Sequence, residues 1–193
     1  YKDWENLNEC LKHLKNQTIQ KTSFEVIVVN NDPTFLIPVD IDLPENFKII
    51  TEEKPGSYAA RNHGIRNSSG EILAFTDSDC TPNPNWLETG ISYFLKNKAL
   101  DRLAGNVTLY YSGDSPKPAD LYELVYAFDQ VSNVKSGSSV TANLFVRRDV
   151  FREVGDFDES MLSGGDYEWN KRATLAGKSL HYSAELIINH PTR

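Results

Sequence analysis

The chain has 193 residues, 39% hydrophobic and 24% charged, with a formal net charge of −7. That length supports one sizeable core, and the acidic balance, with no Lys/Arg cluster, excludes a nucleic-acid backbone as the natural partner. Two cysteines, Cys10 and Cys80, make no disulfide framework and lack metal-site spacing, which fits a reducing, cytoplasmic setting; no apolar run approaches the roughly 18 residues of a membrane span.

In chain order, Trp4, Leu7, Leu11 and Leu14 recur at helical spacing and predict an amphipathic helix over 4–16. FEVIVVN (24–30) is a nearly continuous β-branched run, the pattern of a parallel strand buried on both faces. FKIIT (47–51) predicts a second strand. Residues 57–70 predict a helix with Ser57 as N-cap and Gly70 as terminator. EILAFTD (71–77) predicts a third strand, and 83–97 a helix. This order implies an α/β sandwich with a mainly parallel central sheet flanked by helices. Further on, 102–111 predicts a strand, 112–118 a loop, and 119–131 a helix. A Gly/Ser stretch then leads into a strand ending near Arg148. A short helix closed by Gly155, a second ending at Gly177, and strand-like residues to Arg193 complete the chain. No internal repeat or low-complexity tract is present. The chain opens almost directly in a helix, whereas α/β folds usually lead with a strand, and 1–4 reads as the tail of a strand-to-helix loop.

Several positions carry chemistry. Asp77 and Asp79 follow an apolar strand, and i, i+2 residues of an extended segment point the same way. Ligands of open α/β sheets bind outside the carboxyl ends of strands, so this pair can hold a hard divalent cation, Mg²⁺ or Mn²⁺. It can equally be a solvated turn; Asp-x-Asp by itself does not decide. Asn30, Asn31 and Asp32 can read a nucleobase edge, or simply make the turn that such residues favour. Arg61 can pair with phosphate or form a surface ion pair. Gly164 and Gly165 allow close backbone approach. Asp166 and Glu168 then stand at a helix start, where a carboxylate complements the dipole and can also serve as general base. His190 can be structural or a third metal ligand.

The order of these pieces resembles the inverting family 2 glycosyltransferases of the GT-A fold. The resemblance is carried by FEVIVVNND, EKPGSYAARNHGIRNSSGEILAFTDSDCTPNPNWL, TANLFVRRDVFREVGDFDE, GGDYEWNKRATLAG and NHPTR, which cover most of the chain. It implies one GT-A domain over 1–193, with 1–100 binding the nucleotide sugar and 101–193 supplying the acceptor site and catalytic base. Asn31, where the family often has Asp, would contact the base and Arg61 would support the nucleotide. Asp77 would meet ribose or metal, and Asp79 and His190 would bind Mn²⁺ or Mg²⁺. Asp166, in a segment where the family often reads Glu-Asp and this chain reads Gly-Asp, would be the base. Glu168 and Arg172 would shape the acceptor and diphosphate sides, and Asn143 would lie beside the donor sugar.

The implied reaction is that of a hexosyltransferase: a UDP-sugar donor, a glycan or lipid-linked acceptor, and peripheral association with the inner face of a membrane. The alternatives are a non-catalytic nucleotide-sugar or glycan-binding module of the same fold, and a nucleotidyltransferase. The latter would need a basic glycine-rich phosphate loop near the N-terminus, and the sequence has none. The resemblance also implies a further strand before Tyr1, without which the chain is expected to lack full activity. The acceptor is not legible in 109–131, whose tyrosines and Phe128 fit core packing better than sugar stacking or lipid binding.

Overall fold

The computed structural model describes residues 4–32, 34, 43–111, 113 and 115–192. The expectations placed on residues 1–3, Pro33, Ser112, Asp114 and Arg193 lie outside them. Helix α1 (Trp4–Lys15) turns Cys10, Leu11 and Leu14 into the core. Strand β1 (Val26–Asn30) pairs in parallel with β2 (Phe47–Thr51) to form a two-stranded sheet. Helix α2 (Ser57–Arg66) follows, then β3 (Ile72–Phe75), the short β4 (Thr81–Pro82) and α3 (Trp86–Lys96). Strand β5 (Arg102–Tyr110) leads to α4 (Pro118–Tyr126) and α5 (Gln130–Lys135). Then come β6 (Leu144–Arg147), α6 (Arg148–Val154), α7 (Gly165–Leu175) and β7 (Leu180–Pro191).

The second sheet has the order β3-β6-β5-β7-β4. Only β5 and β7 run parallel in it; β3–β6, β5–β6 and β4–β7 are antiparallel. The α/β architecture stands, but the sheet is mixed rather than mainly parallel. Continuous apolar runs such as Leu144–Val146 report burial on both faces and carry no information on strand direction.

The strand predicted to be buried on both faces, β1, is half-buried along its whole length. Residues of β1 and of β3, an end strand of the second sheet, line an apolar cavity of about 970 Å³. Leu11 and Leu14 of α1, Val26 and Val28 of β1, and Ile72 and Ala74 of β3 line it, and Asn31, Arg61, Asp77 and Asp79 stand along its wall as well.

Other boundaries moved for local reasons. Helix α2 takes Gly56, at φ 125°, rather than Ser57 as its cap. It ends at Arg66 because the Asn67 amide and Ser68 hydroxyl donate to the His63 and Ile65 carbonyls, where a further turn would place backbone N–H groups. The helix expected over 119–131 breaks in two. Phe128 adopts φ 59° and stacks on His190 with ring centroids 4.7 Å apart, and Asp129 then caps α5 by accepting from the Ser132 N–H at 3.0 Å.

Candidate active site

Asp77 and Asp79 follow the carboxyl end of β3, but the strand ends at Phe75 rather than Asp77 and the pair lies in a turn closed by the Cys80 N–H on the Asp77 carbonyl, not on an extended segment. Arg61, one face of α2 away, donates to Asp77 Oδ1 at 2.7 Å, with both side chains largely covered. His190, near the end of β7, is fully buried. Its Nε2 lies 3.4 Å from Asp79 Oδ1, and among the described residues neither atom has a hydrogen-bond partner. The His190 Nδ1 sits 2.5 Å from the Pro191 carbonyl oxygen. The tautomer that donates there leaves the Nε2 lone pair on the Asp79 side, the second-shell arrangement typical of a metal-binding histidine.

Two buried polar atoms without partners are costly unless something satisfies them, and an oxygen and an imidazole nitrogen suit a divalent cation. The residues present therefore fit a metal ion held by Asp79 and His190. Cys80 Sγ lies within 4.8 Å of both ligand atoms. Burial and the neighbouring Asp77 charge push the Cys80 thiol up, so it stays protonated and is a poor ligand for a hard ion.

Asp166 enters from the first turn of α7. Its Oδ1 accepts from the Tyr167 N–H at 3.0 Å and faces the Tyr58 hydroxyl at 3.4 Å. Its Oδ2 accepts from the Thr141 N–H at 3.4 Å. The carboxylate is thus oriented but only partly covered, and makes no ion pair with lysine or arginine among the described residues. Gly164, in the left-handed region at φ 74°, provides the turn that starts this helix.

The remaining predicted residues have structural employment. The Asn31 amide donates to the Glu52 and Lys54 carbonyls at 3.0 and 2.7 Å and accepts from the Gly56 N–H at 2.8 Å. It braces the loop that leads into α2 and Arg61. Arg172 forks onto both oxygens of Glu168 at 2.6 and 3.0 Å and also binds the Val154 and Asp156 carbonyls, so this pair fastens α7 to the end of α6.

Asn143 is fully buried. It donates to the Asn106 and Leu186 carbonyls, each at 2.8 Å, and accepts from the Trp86 indole N–H at 2.9 Å. Its amide is spent inside the core, at the register shift between Gly105 and Asn106 where β5 and β7 fall out of step. The residue that sequence reasoning missed is Tyr58. It lies one turn before Arg61, and only the fold reveals that it reaches Asp166.

An α/β fold with a mixed sheet flanked by helices is the GT-A architecture of glycosyltransferases. The chain belongs to glycosyl transferase family 2, whose model matches residues 1–155. It is 41% identical over 200 residues to Glycosyltransferase AglE of Haloferax volcanii, covering 100% of this chain and 65% of that one. It is 24% identical over 204 residues to the Glucosyl-dolichyl phosphate glucuronosyltransferase of the same organism, covering 97% of this chain and 64% of that one. Among solved structures it resembles S. aureus TarS 1-349, with a TM-score of 0.74 at 19% identity, over 99% of this chain and 58% of that one. The mannosyltransferase PcManGT from Pyrobaculum calidifontis, solved with GDP-Man and Mn²⁺, gives a TM-score of 0.72 at 16% identity, over 98% of this chain and 54% of that one. The chain thus spans less than two thirds of the length of these relatives.

Proposed function

We propose that this domain transfers a sugar, with inversion, from a nucleotide-diphosphate donor, UDP-linked in the first instance, to an acceptor hydroxyl. The observation that carries the reading is the pair of partnerless buried ligand atoms, Asp79 Oδ1 and His190 Nε2, 3.4 Å apart at a strand end. Asp79 and His190 would hold Mn²⁺ or Mg²⁺, which would offset the diphosphate charge and ease departure of the nucleoside diphosphate. Arg61, clamped to Asp77, supports the nucleotide. Asn31 fixes the loop that forms the base side of the pocket, and Glu168 with Arg172 sets the position of α7.

Asp166 takes the proton from the acceptor hydroxyl as that oxygen attacks the anomeric carbon from the face opposite the leaving group. The new glycosidic bond forms as the bond to the diphosphate oxygen breaks. The proton ends on the Asp166 carboxylate and the electron pair on the departing phosphate. A single displacement needs no enzyme nucleophile, which agrees with Cys80 being held as a neutral thiol.

The acceptor we propose is lipid-linked, met at the cytoplasmic face of a membrane. No helix of the described residues is long and apolar enough to cross a membrane. Helix α4 is built with its polarity reversed. Its carboxylate Asp120 is turned inward, accepting from the Lys117 N–H at 2.6 Å and from the Thr192 hydroxyl. Leu121, Tyr122, Val125 and Tyr126 point outward, the last three each at least 66% exposed. At helical spacing these four form one arc, and paired tyrosines (ring centroids 4.9 Å apart) suit a boundary between apolar chains and water. Exposed to this degree they offer roughly 500 Å² of apolar surface, well short of the about 800 Å² per partner of a stable protein interface. The helix hangs from Thr192, two residues beyond His190, so an acceptor tail leaving the site would run along it.

The test is the product. Incubation with UDP-sugars, Mn²⁺ and a polyprenyl-phosphate-linked sugar is expected to release free UDP. Pyrophosphate release would indicate a nucleotidyltransferase, and no turnover with retained nucleotide binding would indicate a binding module.

A further inference from the structure

We propose that Tyr58 is the positioning residue for Asp166, and that the glycine at position 165 exists to make room for its ring. Tyr58 belongs to α2, on the donor side of the domain, and is only 5% exposed. Its hydroxyl accepts from the Gly165 N–H at 2.7 Å and lies 3.4 Å from Asp166 Oδ1. A hydroxyl has one proton to give, and with the Gly165 N–H filling a lone pair the proton goes to the carboxylate. Burial, and then the charge of Asp166, pushes the Tyr58 phenol up, so it remains a donor throughout the working pH range.

The ring is wedged. A Cβ at position 165 would stand 2.7 Å from Tyr58 Cε2 and 2.8 Å from Cζ, closer than real contacts allow, while Phe157 packs against the ring with centroids 5.9 Å apart. The space beside position 165 belongs to Tyr58. The Arg61 guanidinium lies 5.6 Å from the centre of the same ring and is bonded to Asp77. One side chain therefore touches both the group that grips the donor and the carboxylate that receives the acceptor proton, and it holds them as one block.

The inference rests on Asp166 being the base, so the experiment separates the two. Tyr58→Phe keeps the ring and removes only the hydroxyl. Turnover and donor KM are measured for the wild type, Tyr58→Phe, Asp166→Asn and the double variant, with melting temperatures alongside. Asp166→Asn measured alone tests the base: if it keeps wild-type turnover, that reading falls and this inference falls with it. If it loses turnover, the cycle decides the role of Tyr58. We expect Tyr58→Phe to lower kcat about tenfold with donor KM changed less than twofold, and to change the residual rate of Asp166→Asn less than twofold, because two residues acting through one step are not additive. An equal loss in both backgrounds, a loss in KM alone, or no loss at all overturns the assignment.

Discussion

Asn143 offers a sharp test of which polar residues hold the fold and which meet ligand. Replacing it by alanine removes three hydrogen bonds at once. Both strand carbonyls, of Asn106 and Leu186, lose their donor, and the Trp86 indole N–H loses its acceptor. All of this lies where the β5–β7 ladder skips, so no strand neighbour can take over. The packing leaves no slack: a Cβ at Gly105 would stand 2.3 Å from Asn143 Nδ2, which shows how tightly the amide is inserted. Each buried polar group left unpaired costs about 1–3 kcal/mol, so three of them cost about 3–9 kcal/mol, a large share of the stability of one domain. At roughly 2–4 °C per kcal/mol for a domain of this size, Asn143→Ala is expected to lower Tm by at least about 6 °C. Thermal unfolding by circular dichroism reads this directly, with nucleotide binding measured below the transition. A variant melting within about 2 °C of the wild type but unable to bind nucleotide would refute the reasoning and return Asn143 to the donor pocket.

Four further outcomes are expected. Asp79→Asn and His190→Gln should each abolish the Mn²⁺ dependence of nucleotide binding; Asp79→Asn should leave Tm within a few degrees, since Asp79 Oδ1 has no hydrogen bond to lose among the described residues, whereas His190→Gln also loses the Pro191 carbonyl contact and the Phe128 ring contact and should lower Tm; calorimetry checks both. The Cys10 thiol is pushed up to about 12, by burial first and then by the charges of Asp79 and Asp77. Its folded pKa is raised above the ordinary 9.0, so its contribution to stability is complete below about pH 9 and is lost as pH rises toward 12. Native protein at pH 8 should therefore resist iodoacetamide at both cysteines, and mass spectrometry should find label only after unfolding. Tyr122→Ser with Tyr126→Ser should weaken flotation with phospholipid vesicles without changing UDP binding. Finally, β1 and β3, which line the apolar cavity as end strands of their sheets, should exchange their Ile27–Val29 and Leu73–Phe75 amides faster than the central strand β5 does; exchange as slow as that of β5 would count against it.

Local chemistry was legible where one residue type has one structural use. The heptad-like leucines of α1, the glycine that closes α6 at Gly155 and the glycine turn before α7 all stand where periodicity and backbone freedom placed them. That Asp77 and Asp79 follow an apolar strand was legible from the run that ends at Phe75, but they lie in a turn closed by the Cys80 N–H on the Asp77 carbonyl, so strand alternation does not set their direction. Strand direction was not legible, because an apolar run looks the same in either orientation. Nor was the break at Phe128, where stacking on His190, some sixty residues away in sequence, outweighs helix propensity. The tyrosines of α4 fitted core packing by composition, yet the fold turns Tyr122 and Tyr126 outward because Asp120 is the anchored side. Asn143 and Asn31 are polar residues in a region expected to bind ligand, and their amides serve the backbone instead. Tyr58 was invisible for a related reason: its partners are 107 and 108 positions away.

The proposed metal-linked nucleotide site at Asp79 and His190 is tested most directly by calorimetric titration of the folded protein with UDP, GDP and dTDP, each with and without Mn²⁺. We expect binding of one nucleotide, UDP first, that strengthens at least tenfold when Mn²⁺ is present and loses that gain in Asp79→Asn. Binding indifferent to Mn²⁺ and to Asp79, or no binding of any of the three, would contradict it and leave the carboxylates at 77 and 79 as a solvated turn.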